Sequence, residues 1–433
     1  MKKRLVSLAL ILALLLSLCA CGSKEPASET QGDTSETVKI TYWTASDSSD
    51  LQALLEQFRL ENPNIEVEHV FVPYANAQTD YMTAFKSEQG PDVCELIQSW
   101  VPPLVEDGYL TDLNELIASD VAVDDYYQIG WDAFVHGGST YAMPTRLGIE
   151  AMYYNRALLE LAGFSEPPQT WEEFERFGEE LAKHGKYAYG VTAANKNDLA
   201  YRFLSWYFTA GAEIADEGWK TCLMNTEEAI DALTFETNLY KNSYAPESGV
   251  SDGSGDVYLM FMANEVATMI RGPLDMFSIL KDDATFYEEN LIITSMPKYA
   301  DDVPTATASY VYGLGMNSAL EGAKAEAAWK LVQFLSQPEN ITKISYGDLP
   351  ARVSALDCDG PVLAGDECVN YRDSLYAAFL DQAANARVIP THAEWAVISE
   401  VIWNNYQSIL AGQTDATTAA NQMTSEIQTL LDS

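Results

Sequence analysis

The sequence predicts an α/β protein of two lobes, each a mainly parallel sheet flanked by helices. Three observations predict it. Strand-like and helix-like segments alternate along the chain, no repeat of 20–50 residues is visible, and 433 residues suit two domains better than one at roughly 150 residues each. Hydrophobic residues at 47% and charged residues at 21% are ordinary globular usage, which excludes a wholly disordered or multi-span membrane chain.

The first element is a leader. Lys2, Lys3 and Arg4 precede an apolar run from Leu5 to Leu18, about 14 residues against the ~20 that span a bilayer, so residues 1–20 read as a secretory signal peptide. Its end, Leu18-Cys19-Ala20-Cys21, resembles the bacterial lipobox. That implies a lipid on Cys21 and a protein anchored on the extracytoplasmic face of the bacterial cell membrane. Residues 21–37 then read as a flexible tether, because 22–36 hold no aromatic or large aliphatic side chain to offset the entropy of ordering. Some fifteen residues of coil reach about 20 Å.

The body opens with the β-branched, aromatic run Val38–Trp43, a strand. Leu51, Leu54, Leu55 and Phe58 recur at helical spacing until Asn62-Pro63-Asn64 stops them. Residues 65–70 alternate as a second strand, and strand, helix and strand of these lengths make a right-handed parallel crossover. A helix over 80–87, a break at Gly90-Pro91 and a buried strand over 92–97 repeat the unit. An apolar strand over 149–155 leads into helices from Arg156 and Thr170, where Thr170 and Glu173 fit a capping box. Helices are expected over 199–209, 226–241 and 256–263, strands over 266–270, 291–296 and 309–316, and helical stretches over 324–336, 371–411 and 415–432. Ligands of parallel sheets bind beyond the carboxyl ends of the strands. The loops after Trp43 and Ile97 therefore point to the functional edge.

With 25 Lys plus Arg against 64 Asp plus Glu, the net charge is −39. That field repels phosphate backbones and leaves nucleic-acid binding undriven. The four His are scattered and no Cys-x-x-Cys pair occurs, so neither a metal nor a cofactor is expected. Cys358 and Cys368 either close a local disulfide or stay free thiols. Asp252, Ser254 and Asp256 start like an EF-hand loop but lack its glycine and final glutamate. Gly313-Leu314-Gly315 lacks the third glycine of a dinucleotide loop, and there is no Gly-x-Ser-x-Gly nucleophile motif.

Six segments in order carry a family resemblance: ITYWTASDSSDLQALLEQFRLENPNIEVE, GPDVCELIQSWVPPLVEDGYLTDLNEL, TYAMPTRLGIEAMYYNRALLELAGFSEPPQTWEEF, VATMIRGPLDM, SYVYGLGMNSALEGAKAEAAWKLVQFLSQPENI and DLPAR. Together, behind a lipobox, they resemble the extracellular solute-binding proteins of ABC importers, in the carbohydrate-binding family that resembles maltose-binding protein. Leu274 stands where the family often has tryptophan, and Thr307–Tyr310 replaces its Gly-rich turn. The resemblance implies a periplasmic-binding-protein-like fold with a ligand cleft between lobes: 38–147 plus 304–348 in the first, 148–303 plus 349–433 in the second. It also implies a binding component that captures a mono- or oligosaccharide by lobe closure and delivers it to membrane permease subunits, with no covalent chemistry. One cleft suffices for a monomer. A peptide or polyamine ligand, and a surface glycoside hydrolase with two carboxylates about 5–9 Å apart, are the competing readings.

A sugar cleft needs flat rings for C–H faces and planar polar groups for paired hydroxyls. Trp43 ends a strand on the functional edge, as a stacking platform or a lid over the core. Ser46 and Asp47 meet hydroxyls or cap the next helix. Gln98, Ser99 and Trp100 leave the second sheet strand in the same direction. Arg146 follows a hinge-like Met143-Pro144 and can fork onto hydroxyls or a sugar acid, or else bridge the lobes. Glu150 has the same choice. Trp206 lies in an apolar stripe and serves either ligand or core, and Arg271 ends a strand beside Gly272, which permits close approach. Tyr310 and Tyr312 share one strand face, and the resemblance adds Arg352 from DLPAR.

Overall fold

Along β1 (Val38–Thr44), Ile40, Tyr42 and Thr44 turn inward while their neighbours stay part-exposed, the period-two pattern of a strand with one wet face. The structure, a computed structural model, describes residues 37–300, 303–360, 362–364, 367–368, 370–372 and 374–432; the expected signal peptide, lipidated Cys21 and most of the tether lie outside them. Helix α1 (Ser49–Glu61) is capped by Ser48, whose hydroxyl accepts the Leu51 N–H, and it buries Leu51, Leu54, Leu55 and Phe58. It ends at Asn62 and returns the chain to β2 (Ile65–Phe71), parallel to β1. Helix α2 (Tyr74–Lys86) starts just after Pro73, six residues before its expected start, and leads to the fully buried β3 (Val93–Ile97) on the other side of β1.

The expected strand over 149–155 is two strands in two sheets. β4 (Ala142–Ile149) and β5 (Ala151–Asn155) are separated by Glu150, whose N–H donates to the Ala308 carbonyl at 3.0 Å. After them come α3 (Trp171–Ala182), β6 (Tyr187–Tyr189), α4 (Lys196–Thr209), α5 (Glu227–Lys241), α6 (Ser254–Met262), β7 (Val266–Arg271), α7 (Asp275–Asp282) and β8 (Leu291–Thr294). Then β9 (Thr307–Met316), α8 (Gly322–Leu335), β10 (Leu349–Pro350), β11 (Ala386–Val388), α9 (Trp395–Leu410) and α10 (Ala416–Leu431) complete the principal elements. The first sheet has the order β10-β4-β9-β3-β1-β2, with β11 on the start of β9; the second runs β8-β5-β7-β6. Both are mixed in strand sense: β2, β1 and β3 are parallel, whereas β9 runs against β3 and β4. The reversal follows from the crossings. β4 and β5 carry the chain from the first sheet to the second, and β9 brings it back, starting where Thr307 and the Ala308 N–H reach Ser205 of α4.

Each sheet carries its own core. One cluster joins Ile40, Phe58, Leu96, Leu147, Val311 and Leu331; the other joins Met152, Phe174, Trp206, Ile270, Ile398 and Tyr406. Alternation along β5 covers both faces of the second sheet, since Met152 and Tyr154 enter the second cluster and Tyr153 the first. Each such side chain contributes about 1.5–3 kcal/mol of burial.

One expectation is corrected. The stretch 371–411 is interrupted by β11, because Val388-Ile389-Pro390 cannot continue a helix and the Ile389 N–H instead donates to Ser309. Cys358 is a free thiol, turned back toward the Ser354 carbonyl at 3.9 Å, and the Cys368 side chain lies outside the described residues. Cys94 is a buried thiol in β3, and burial pushes its pKa up.

Candidate functional site

A cavity of about 380 Å³ lies where the two sheets meet. On the first wall, β4 supplies Arg146, only 4% exposed. One guanidinium nitrogen donates to Ser46 Oγ at 3.1 Å and Glu95 Oε1 at 3.4 Å, the other to Asp348 Oδ2 at 3.4 Å. The guanidinium carbon stands 3.7 Å from the Tyr312 ring centroid, a stacking position that fixes its plane. Glu95 also accepts the Ala45 N–H at 3.0 Å.

The second wall is built by α4, α6 and the end of β7. Arg202 donates to Glu150 at 2.8 Å and to the Ser254 hydroxyl at 3.5 Å. Asp198, one turn earlier on α4, accepts the Ser254 N–H at 3.1 Å and so caps α6. Arg271 donates to the Ser254 carbonyl and lies 4.0 Å from Asp275.

Tyr310 stands at the junction. Its hydroxyl donates to Asp348 at 3.0 Å and its ring meets Tyr201 edge-on at 5.6 Å. A Cβ on Gly148 would sit 1.8 Å from that ring, so only glycine lets β4 pass beneath it.

Burial dominates the electrostatics. It pushes the Asp348 carboxyl up to about 7 against the pull of Arg146 and the Tyr310 hydroxyl, and it raises Glu95 and Glu150. It works against the Arg146 cation too, but Glu95, Tyr312 and Asp348 more than offset it and hold that group above its ordinary value. Arg271 is held below its ordinary value by burial, which Asp275 offsets only in part. Arg146 Nε, Arg202 Nε, Arg271 Nε and Glu150 Oε2 are buried without a hydrogen-bond partner. Such groups cost free energy until something bonds them.

Of the residues expected from sequence, Ser46, Arg146, Glu150, Arg271, Tyr310 and Tyr312 line this cavity. Ser99 and Trp100 line a smaller adjoining chamber of about 190 Å³, with Tyr74 and Tyr201 shared between the two. The others are placed elsewhere. Trp43 packs on Tyr81 beside the first core, and Asp47 is exposed and accepts from Gln52. Gln98 is fully buried and accepts the Val311 N–H at 2.8 Å. Trp206 is 0% exposed among Phe174, Tyr189 and Phe235. Arg352 pairs with Asp125 at 2.7 Å and donates to the Ser336 carbonyl.

Sequence reasoning missed Asp198, Tyr201, Arg202, Asp275 and Asp348. A signal existed for two of them: Asp198 and Arg202 are an i, i+4 pair of opposite charges on α4. DLPAR also held the right segment, since Asp348 opens it and reaches the cleft while Arg352 does not.

A larger cavity of about 810 Å³ runs between residues 127–133, 208–223 and 383–391. Its cation, Arg387, is already tied to Glu213 and the Ala212 carbonyl. The smaller cavity, where unpartnered buried groups converge, is therefore the better site. Among the described residues no helix is long and apolar enough to cross a membrane, and no group of His, Cys, Asp and Glu is placed to hold a metal.

Residues 43–342 match the family of bacterial extracellular solute-binding proteins. The chain is 24% identical over 423 residues to a maltooligosaccharide ABC transporter solute-binding lipoprotein of Streptococcus pneumoniae, across 94% of this chain and 92% of that one. Its fold is similar to the sugar-binding protein MalE from Xanthomonas citri (TM-score 0.79, 22% identity, 91% of this chain, 98% of that one). It is also similar to UgpB from Mycobacterium tuberculosis, solved with glycerophosphocholine (TM-score 0.76, 22% identity, 92% and 99%).

Proposed function

The chain belongs to the family of bacterial extracellular solute-binding proteins, and we propose that it captures a carbohydrate in the cleft between its lobes and delivers it to the permease subunits of an ABC importer. It is a binding protein, and capture makes and breaks no covalent bond. The observation that carries the sugar reading is the set of planar groups in the cavity that keep a buried unpartnered atom, the Nε of three guanidiniums and one oxygen of Glu150, beside the rings of Tyr201, Tyr310 and Tyr312. Guanidinium and carboxylate forks match pairs of sugar hydroxyls, and tyrosines present both a face and a hydroxyl. The maltooligosaccharide-binding relative supports the same class.

Closure follows from the two walls. A ligand that touches Arg146 and Arg271 together does so only with the lobes shut, so it stabilises the closed form by the difference in its affinity for the two forms. The moving bodies in this reading are 38–147 plus 304–348 and 148–303 plus 349–433, except that β10, paired with β4, and β11, paired with β9, stay with the first sheet. A lipid on Cys21 holds the monomer at the outer face of the cell membrane, where the permease waits. The test is tryptophan fluorescence titrated with mono- and oligosaccharides beside peptides and polyamines. Saturation by a saccharide, recovered unaltered, is the expected result; turnover or saturation by a polyamine instead would overturn it.

A further inference from the structure

The second wall holds a cation that its surroundings leave underpaired. Arg271 is 5% exposed. Among the described residues its guanidinium hydrogen-bonds only the Ser254 carbonyl, and its Nε has no hydrogen-bond partner. The paired carboxylate, Asp275, stays 4.0 Å away. The other two cleft guanidiniums each hydrogen-bond a carboxylate, Arg146 to Glu95 and Asp348, Arg202 to Glu150. The other acids nearby have donors of their own: Asp198 holds the Ser254 N–H and Asn195, and Asp348 holds the Tyr310 hydroxyl. Asp275, Glu150 and Asp198 attract the Arg271 charge and Arg202 repels it.

A buried guanidinium with spare donors is best satisfied by an oxyanion, which accepts two parallel N–H bonds and returns the missing charge. Access is open at this point. Arg271 and Gly272 both line the cavity, and no tryptophan among the described residues does, so this wall offers charge in place of a stacking platform. Resting on the carbohydrate reading, we propose that the ligand is a saccharide bearing an oxyanion, a carboxylate or a phosphate, seated on Arg271 beside Gly272. The net balance agrees with burial lowering the affinity of this arginine for its proton while the other two are held up.

The test is calorimetric titration of the purified protein with matched sets, glucose, glucuronate and glucose 6-phosphate, and galactose, galacturonate and galactose 6-phosphate, beside a peptide mixture and a polyamine. A charged member is expected to bind about tenfold or more tighter than its neutral parent, as a charge-assisted bond outweighs a neutral one. Preference for the uronate identifies a carboxylate, and preference for the phosphate identifies a phosphoryl group. Arg271→Gln should bring the ratio to near one. Should that variant fail to fold, Asp275→Asn, which removes the neighbouring carboxylate, should widen the ratio. A neutral parent that binds as tightly as its charged partners overturns the oxyanion and leaves the carbohydrate reading intact. Saturation by a peptide or polyamine with no saccharide binding overturns both, and a panel in which no charged saccharide binds overturns the oxyanion.

Discussion

Arg146 and Arg271 sit on the two walls of one cleft, almost equally buried, yet they are held in opposite ways. Arg146 has two carboxylates, a hydroxyl and an aromatic face around it; Arg271 has a backbone carbonyl and one carboxylate at 4.0 Å. The difference teaches what each can do. The first is a strut that keeps β4, β3 and the Asp348 turn together, and a ligand meets it with both terminal nitrogens engaged and only Nε unpaired. The second has bonding capacity to give away.

The largest expected effect comes from that contrast. Arg146→Met leaves Glu95 and Asp348 buried and unpaired, and should cost about 3–5 kcal/mol in urea unfolding. Arg271→Met frees the Ser254 carbonyl and Asp275, whose side chain is 31% exposed, and should cost about 1 kcal/mol. Equal losses would break the comparison.

Glu236 sharpens it with an acid that has no cation beside it. It is buried in the second lobe next to Tyr189, and burial pushes its carboxyl up to about 8. A carboxyl raised in the folded state takes up protons on folding. Its contribution is complete below about pH 4.5 and is lost as pH rises through 8, at up to about 1.4 kcal/mol per unit. Glu236→Gln should therefore gain stability relative to the parent between pH 5 and 8, by a few kcal/mol in chemical unfolding. A pH-independent difference would show that the carboxyl is not held protonated.

Gly148→Ala tests the junction between the walls. The new methyl cannot share space with the Tyr310 ring, so the ring must leave Asp348 and Tyr201. Overpacking of this kind costs about 1–3 kcal/mol, and saccharide affinity should fall by more than stability alone explains. The smallest effect is expected at Arg352→Ala, about 0–1 kcal/mol with ligand affinity unchanged, since its part-exposed pair with Asp125 lies outside the cleft.

Much of the fold and part of the site are legible in the sequence because strands announce themselves and their ends point one way. Arg146, Glu150, Arg271, Tyr310 and Tyr312 all lie on a strand or just beyond its end near the functional edge, which is where periodicity directs attention. The misplaced residues share a cause: side-chain type alone is a weak signal. Trp206 has the ring a sugar would stack on, but Leu199, Phe203 and Trp206 share one apolar face of α4, and that face is core. Arg352 has the right charge, but Asp125 claims it. Asp348 and Asp275 escape because loops and first helical turns carry no periodicity to read, and their approach to the arginines is set by tertiary packing. The change of sheet at Glu150 is equally hidden, since one charge within the run 149–155 does not show where a chain changes partners.

The most direct test of the central claim is hydrogen exchange with and without a saturating saccharide. The account predicts new protection on both walls at once, over 145–150 and 346–350 on one side and 198–202 and 271–276 on the other, with helix 227–241 unchanged. Protection confined to one wall, or appearing instead along 127–133 and 208–223, would contradict capture between the lobes at this cleft.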